Sequence, residues 1–89
     1  MKPQPAAAVA EAIATVLRDA GREAVPLASQ MRLAGDVGLD SLDLAQTIVL
    51  LERSLGVDPF RAGAPGDARP PLRTVSDLVS IYEAALAQP

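Results

Sequence analysis

The chain has 89 residues, no Cys, no His, and eight basic against eleven acidic side chains, for a net charge of −3. That length allows one small domain with a thin core, and the acidic balance argues against binding a nucleic-acid backbone. Without Cys or His there is no disulfide framework, no thiolate metal site, no Ser-His-Asp triad and no usual general base near neutral pH.

Apolar residues make up 49% of the chain and aromatics only 2%, which favours close-packed helices built from Ala, Leu and Val over a β-sandwich. No stretch of about 18 uninterrupted apolar residues exists, so no membrane span is expected. The Ala-rich start carries Pro3, Pro5, Glu11 and Arg18 and fits a secretory leader poorly. A cytoplasmic protein is the default expectation.

In chain order, residues 1–5 are Pro-rich and expected to be loose. Val9, Ile13, Val16 and Leu17 then recur at helical spacing among alanines, which predicts a helix over about 6–20. Gly21 is placed to stop it. Residues 22–40 hold Pro26, Gly35 and Gly38 among Val25, Leu27, Met31, Leu33, Val37 and Leu39. A connection of that length is uncommon in a small domain and is often functional.

A second helix is predicted over 41–55, with Asp40 at the N-cap, Asp43 three residues on and Gly56 after the end. Leu44, Ile48, Leu51 and Leu55 define its expected core face. Asp58-Pro59 suggests a short helical turn over 59–62, followed by a surface loop from Gly63 to Pro71. Thr74 and Asp77 open a last helix over 74–87, with Val75, Leu78, Tyr82, Ala85 and Leu86 as its stripe. The whole chain, 1–89, reads as a single all-α domain, an antiparallel four-helix bundle of three long helices and one short one.

The informative segment is Asp36-Val37-Gly38-Leu39-Asp40-Ser41-Leu42-Asp43. Gly38 permits a tight backbone before the helix. Asp40 can cap the free amides, and Ser41 falls on the first turn. There the helix terminus favours negative charge, such as a phosphoryl group, although Asp40 and Asp43 oppose it. On spacing alone the ordinary reading is a plain helix cap.

Gly38-Leu39-Asp40-Ser41-Leu42 resembles the attachment motif of acyl carrier proteins, in which an Asp-Ser-Leu core opens the second helix. Asp36, the helix order, the long first connection and the position of the motif before mid-chain agree, so the resemblance spans roughly residues 6–87. It implies that Ser41 carries 4′-phosphopantetheine through a phosphodiester and that acyl intermediates ride on the terminal thiol of the arm as thioesters. It also implies that Asp40 assists a phosphopantetheinyl transferase and that Leu42 contacts it. Acyl-loading and acyl-transfer enzymes would be the other partners of a monomeric, non-catalytic carrier. The missing His and Cys suit this role, because another enzyme modifies the hydroxyl and the arm supplies the thiol.

At about 100° per residue, Leu42, Ala45 and Val49 fall together, away from the core face. Gln46 and Arg53 flank them on one side and Glu52 on the other, and with Asp43 these residues form the expected partner-binding face. Fatty-acid-synthesis carriers have a more acidic second helix, whereas here Gln46 and Arg53 stand where acids are common. The segment from Phe60 to Arg73 is also longer and carries Arg61, Arg69 and Arg73. Both departures suggest a dedicated lipid, polyketide or secondary-metabolite pathway.

Asp36, Asp40 and Asp43 lack the spacing and number of ligands a hard cation needs, so no metal site is expected. Asp43 and Glu52 lie more than two helical turns apart, too far for a catalytic pair. Phe60 and Tyr82 read as core residues. The rival readings are an aminoacyl or peptidyl carrier and, from another class, a small helical protein–protein adaptor without a prosthetic group.

Overall fold

The computed structural model describes residues 4–60 and 72–87. Helix α1 spans Pro5–Asp19, α2 spans Ser41–Leu55 and α3 spans Val75–Ala87, with a short π-helical turn at Leu33–Val37 inside the first connection. All regular elements among the described residues are helical, which makes the fold an all-helical bundle of three long members and one short one. The short member described is the π turn at 33–37, which the sequence reading did not mark. Of the short helical turn expected over 59–62, Pro59 and Phe60 form a turn, and residues 61–62, like the loop expected from Gly63 to Pro71, lie outside the described residues.

α1 begins one residue earlier than its periodicity indicates, because Pro5 is not loose but occupies the first helical turn behind Gln4. Proline suits that position: its missing N–H would have no partner there and its fixed φ is already helical. The helix ends in a Schellman motif. The N–H of Arg22 reaches the carbonyl of Leu17 at 2.8 Å, that of Gly21 reaches Arg18 at 2.9 Å, and Gly21 takes the left-handed φ of +76°.

α1 packs against both other long helices. Its buried face is Ala8, Val9, Ala12, Ile13, Val16 and Leu17, joined in one core by Leu33, Val37, Leu39, Leu51, Leu55, Val75, Leu78 and Tyr82. Each fully buried aliphatic side chain contributes roughly 1.5–3 kcal/mol relative to exposure. On α2 the face is rotated from the expected one: Thr47, Leu51 and Leu55 are fully buried, while Leu44 and Ile48 are half-buried. Thr47 tolerates burial because its hydroxyl donates to the carbonyl of Asp43 at 2.9 Å. A polar residue type hides such a position from a hydrophobic-periodicity argument.

The long connection earns its length by packing and pairing. Leu33, Val37 and Leu39 plug into the core. Its backbone is tied to the start of α3, with Leu33 N–H donating to Arg73 at 2.8 Å, Val75 N–H to Met31 at 2.9 Å and Ser76 N–H to Ser29 at 2.9 Å. α3 itself opens with a reciprocal cap: Asp77 N–H donates to Thr74 Oγ1 at 3.1 Å, and Thr74 N–H donates to Asp77 Oδ2 at 3.0 Å. The backbone amides of Arg73 and Thr74 hold the Asp77 carboxyl below its usual range.

Candidate functional site

The start of α2 is set by three successive devices. The π turn leaves its helical path at Gly38, whose φ is +87°, and the N–H of Leu39 returns to the carbonyl of Leu33 at 2.9 Å. Leu39 is then buried, which points the chain back toward the surface at Asp40. Asp40 and Asp43 close a capping box, in which Asp43 N–H donates to Asp40 Oδ1 at 2.8 Å and Asp40 N–H donates to Asp43 Oδ2 at 3.2 Å.

Ser41 is the first residue of α2 and is exposed. Among the described residues its hydroxyl has no hydrogen-bond partner, and neither do the backbone amides of Ser41 and Leu42. The site therefore offers an unengaged hydroxyl beside two open N–H groups at the positive end of a 15-residue helix, where an anion is favoured. With no His in the chain, nothing here can serve as an ordinary neutral-pH base for that hydroxyl.

Two grooves flank this helix start. One, of about 390 Å³, is lined by Ser41 and Asp40, by apolar Leu39, Leu44 and Leu72, and by the two arginines Arg32 and Arg73. The other, of about 540 Å³, lies between the end of α1 and the outer face of α2. Leu42, Asp43, Ala45, Gln46 and Val49 come together there, and α1 adds Val16, Asp19 and Ala20. Leu42 and Val49 are 65% and 49% exposed, which makes them two of only three large exposed hydrophobics among the described residues. Glu52 and Arg53 are exposed but stand outside this groove, and Arg53 borders a separate depression with Glu11 and Thr15.

The contribution of α1 was not legible in the sequence. Val16 counts as core by its spacing, and nothing in Asp19-Ala20 marks a groove wall until the crossing of α1 and α2 is known. The three carboxylates of the motif region are engaged separately: Asp36 Oδ2 accepts from Arg32 N–H at 2.7 Å, whereas Asp40 and Asp43 bond to each other's amides. No group of three potential ligands for a metal ion occurs among the described residues.

A scan against family models matches the phosphopantetheine attachment site family over residues 7–60, more than half of the chain. The chain belongs to that family, whose members are non-catalytic carriers with a covalently attached 4′-phosphopantetheine and work with transferases and acyl-handling enzymes. The matched span includes α1 from its third residue on, the π turn and all of α2. Neither the search of curated proteins nor the search of solved structures gives a match. No helix among the described residues is long and apolar enough to cross a membrane.

Proposed function

We propose that this protein is an acyl carrier in which Ser41 bears the 4′-phosphopantetheine arm, serving a dedicated lipid, polyketide or secondary-metabolite pathway. The observation that carries the assignment is the unengaged, exposed hydroxyl of Ser41 beside the open amides of the first turn of α2. The residues fit the group. The free amides favour a phosphodiester, Arg32 and Arg73 line the adjoining groove with cationic side chains, and Leu39, Leu44 and Leu72 give it an apolar wall. In the modifying step, Ser41 Oγ attacks the phosphorus that bears the pantetheine arm in a pyrophosphate donor. The bond from that phosphorus to the bridging oxygen breaks, and the nucleotide departs with its own phosphate. The hydroxyl proton passes to a base of the transferase, because this chain supplies none. Once attached, the arm provides the thiol on which cargo is held as a thioester.

Asp40 holds the first turn in place, and Leu42, 65% exposed and next to Ser41, is the residue the transferase meets first. The docking face is the groove of Leu42, Asp43, Ala45, Gln46 and Val49, extended along α2 by Glu52 and Arg53. Its apolar floor beside the carboxylates of Asp19 and Asp43 suits a partner segment with a bulky apolar side chain and a neighbouring Lys or Arg. We place the protein in the cytoplasm as a monomeric, single carrier domain.

Co-expression with a broad-specificity phosphopantetheinyl transferase, followed by intact mass measurement, tests the assignment. One added phosphopantetheine that disappears in Ser41→Ala is the expected result. An undiminished gain in Ser41→Ala, or no gain in either protein, overturns it. Loading assays separate acyl from aminoacyl cargo. Efficient loading by a general fatty-acid malonyl transferase, at the rate of that enzyme's own carrier, would refute a dedicated pathway.

A further inference from the structure

Arg22 lies 19 residues before Ser41 in sequence, outside α2 and its lead-in, yet it is bonded to the backbone that presents that residue. Its Nη1 donates to the carbonyl of Gly38 at 2.8 Å and its Nη2 to the carbonyl of Val37 at 3.1 Å. Among the described residues no other side chain from outside the segment 32–43 bonds to residues 37–40. The root of Arg22 is fixed by the Schellman motif, since its N–H is held by the carbonyl of the fully buried Leu17. Its guanidinium has no carboxylate partner either, because the one ion pair among the described residues joins Arg32 and Asp36. The fork therefore spends both of its contacts on two consecutive carbonyls at the end of the π turn.

Gly38 is shaped to receive it. A Cβ on Gly38 would stand 2.5 Å from Arg22 Nη2, so the position must be bare for the guanidinium to lie where it does. From Gly38 the chain passes through the buried Leu39 directly to the N-cap, Asp40, and then to Ser41.

We propose that Arg22 is a positioning residue for modification of Ser41: by holding the Val37 and Gly38 carbonyls it ties the C-terminal end of α1 to the entrance of α2 and presents Asp40 and Ser41 in one register. This rests on Ser41 being the attachment residue. Arg22 touches neither the hydroxyl nor the arm. Its loss widens the ensemble sampled by residues 37–40, and the transferase then binds only the competent fraction. The consequence falls on KM rather than kcat. Lysine does not replace it, since a single ammonium cannot span two carbonyls with fixed geometry.

The test is steady-state kinetics of phosphopantetheinylation on the full-length protein, wild type against Arg22→Ala and Arg22→Lys, with amide hydrogen exchange on each. Val79→Ala, on α3 and packed against the core without a hydrogen bond to residues 37–40, serves as a control for general destabilisation. In Arg22→Ala, KM should rise about fivefold or more with kcat within about twofold, as expected when a binding-competent state is depopulated. The amides of Asp43 and Leu44 should exchange about tenfold faster while those of Ile81 and Tyr82 are unchanged, the signature of local opening. Arg22→Lys should follow Arg22→Ala closely. An unchanged KM, an exchange increase spread over all three long helices, or Arg22→Lys behaving as wild type each overturns the proposal, the last because it would indicate a charge contact with the transferase. If the wild type is modified normally and the variants match it, only the role of Arg22 falls. If the wild type accepts no arm, the Ser41 reading falls and takes this one with it.

Discussion

Asp40 and Asp43 hold each other's backbone amides, at 2.8 Å in one direction and 3.2 Å in the other, across the residue that opens α2. The pair satisfies two amides that would otherwise lie unbonded at the helix start, and it leaves those of Ser41 and Leu42 open between them. The same short stretch of chain thus ends a loop, starts a helix and keeps an anion-favouring surface free.

Removing that cap should cost stability. Asp40→Ala is expected to lose about 1 kcal/mol, which corresponds to roughly 4–8 °C in Tm for a domain of this size. Asp40→Asn should lose much less, since asparagine caps nearly as well. Thermal melts followed by circular dichroism decide it. An alanine variant that melts with the wild type would mean that the box contributes nothing in solution.

Gly38 and Arg22 should be energetically coupled. Gly38→Ala meets two penalties, a left-handed φ of +87° and the guanidinium 2.5 Å from the new methyl group. The conformational penalty alone is about 1–2 kcal/mol. In the Arg22→Ala background the steric part vanishes, so Gly38→Ala should cost less there by about 1 kcal/mol. A double-mutant cycle by chemical denaturation measures this, and strict additivity would show that the two side chains do not meet.

Tyr82 should make the fold sensitive to alkali. Its hydroxyl is buried and without a hydrogen-bond partner among the described residues. Burial, reinforced by the negative charges of Asp58 and Glu52, pushes its pKa up to about 12. The folded protein therefore holds this proton more tightly than the unfolded chain does. The associated stability is complete below the ordinary tyrosine value of 10.0 and declines as pH rises from there toward about 12. Tyr82→Phe should flatten that decline. It should also leave neutral-pH stability equal or higher by about 1 kcal/mol, because an unpaired buried hydroxyl is removed. The edge-on contact with Phe60, at 6.1 Å between centroids, needs only the ring. Denaturation midpoints at a series of alkaline pH values test both parts.

The groove between α1 and α2 predicts which surface changes matter to partners. Leu42→Asp and Val49→Asp alter exposed side chains and should leave the melting temperature within a few degrees, as is usual for surface positions. Each should lower kcat/KM of a carrier-dependent enzyme by about tenfold or more. Glu52→Ala and Arg53→Ala, outside the groove, should have smaller effects. Equal losses at all four positions would show that the docking face is not centred on the groove.

Much of this molecule was readable in advance because local chemistry dictates it. The glycines past the ends of α1 and α2 and the reciprocal Asp40/Asp43 and Thr74/Asp77 caps all act within a few residues of sequence. The helical spacing of Val9, Ile13, Val16 and Leu17 marks a face that must be buried somewhere. The π turn at Leu33–Val37 escaped the sequence reading for a related reason: it has no local propensity signal and is held by the burial of its two terminal residues.

Which residues open α2, and that a serine stands at its mouth, follow from the order of amino acids, since capping and the turn at Gly38 act over distances shorter than one helical turn. What surrounds that serine follows from the packing of the helices. Thr47 turned inward, α1 supplied a wall to the groove beside Leu42, and Arg22 reached across to the carbonyls of Val37 and Gly38. Those relationships depend on how separate helices cross, and the spacing of residues along one chain carries no record of the angle at which two helices meet.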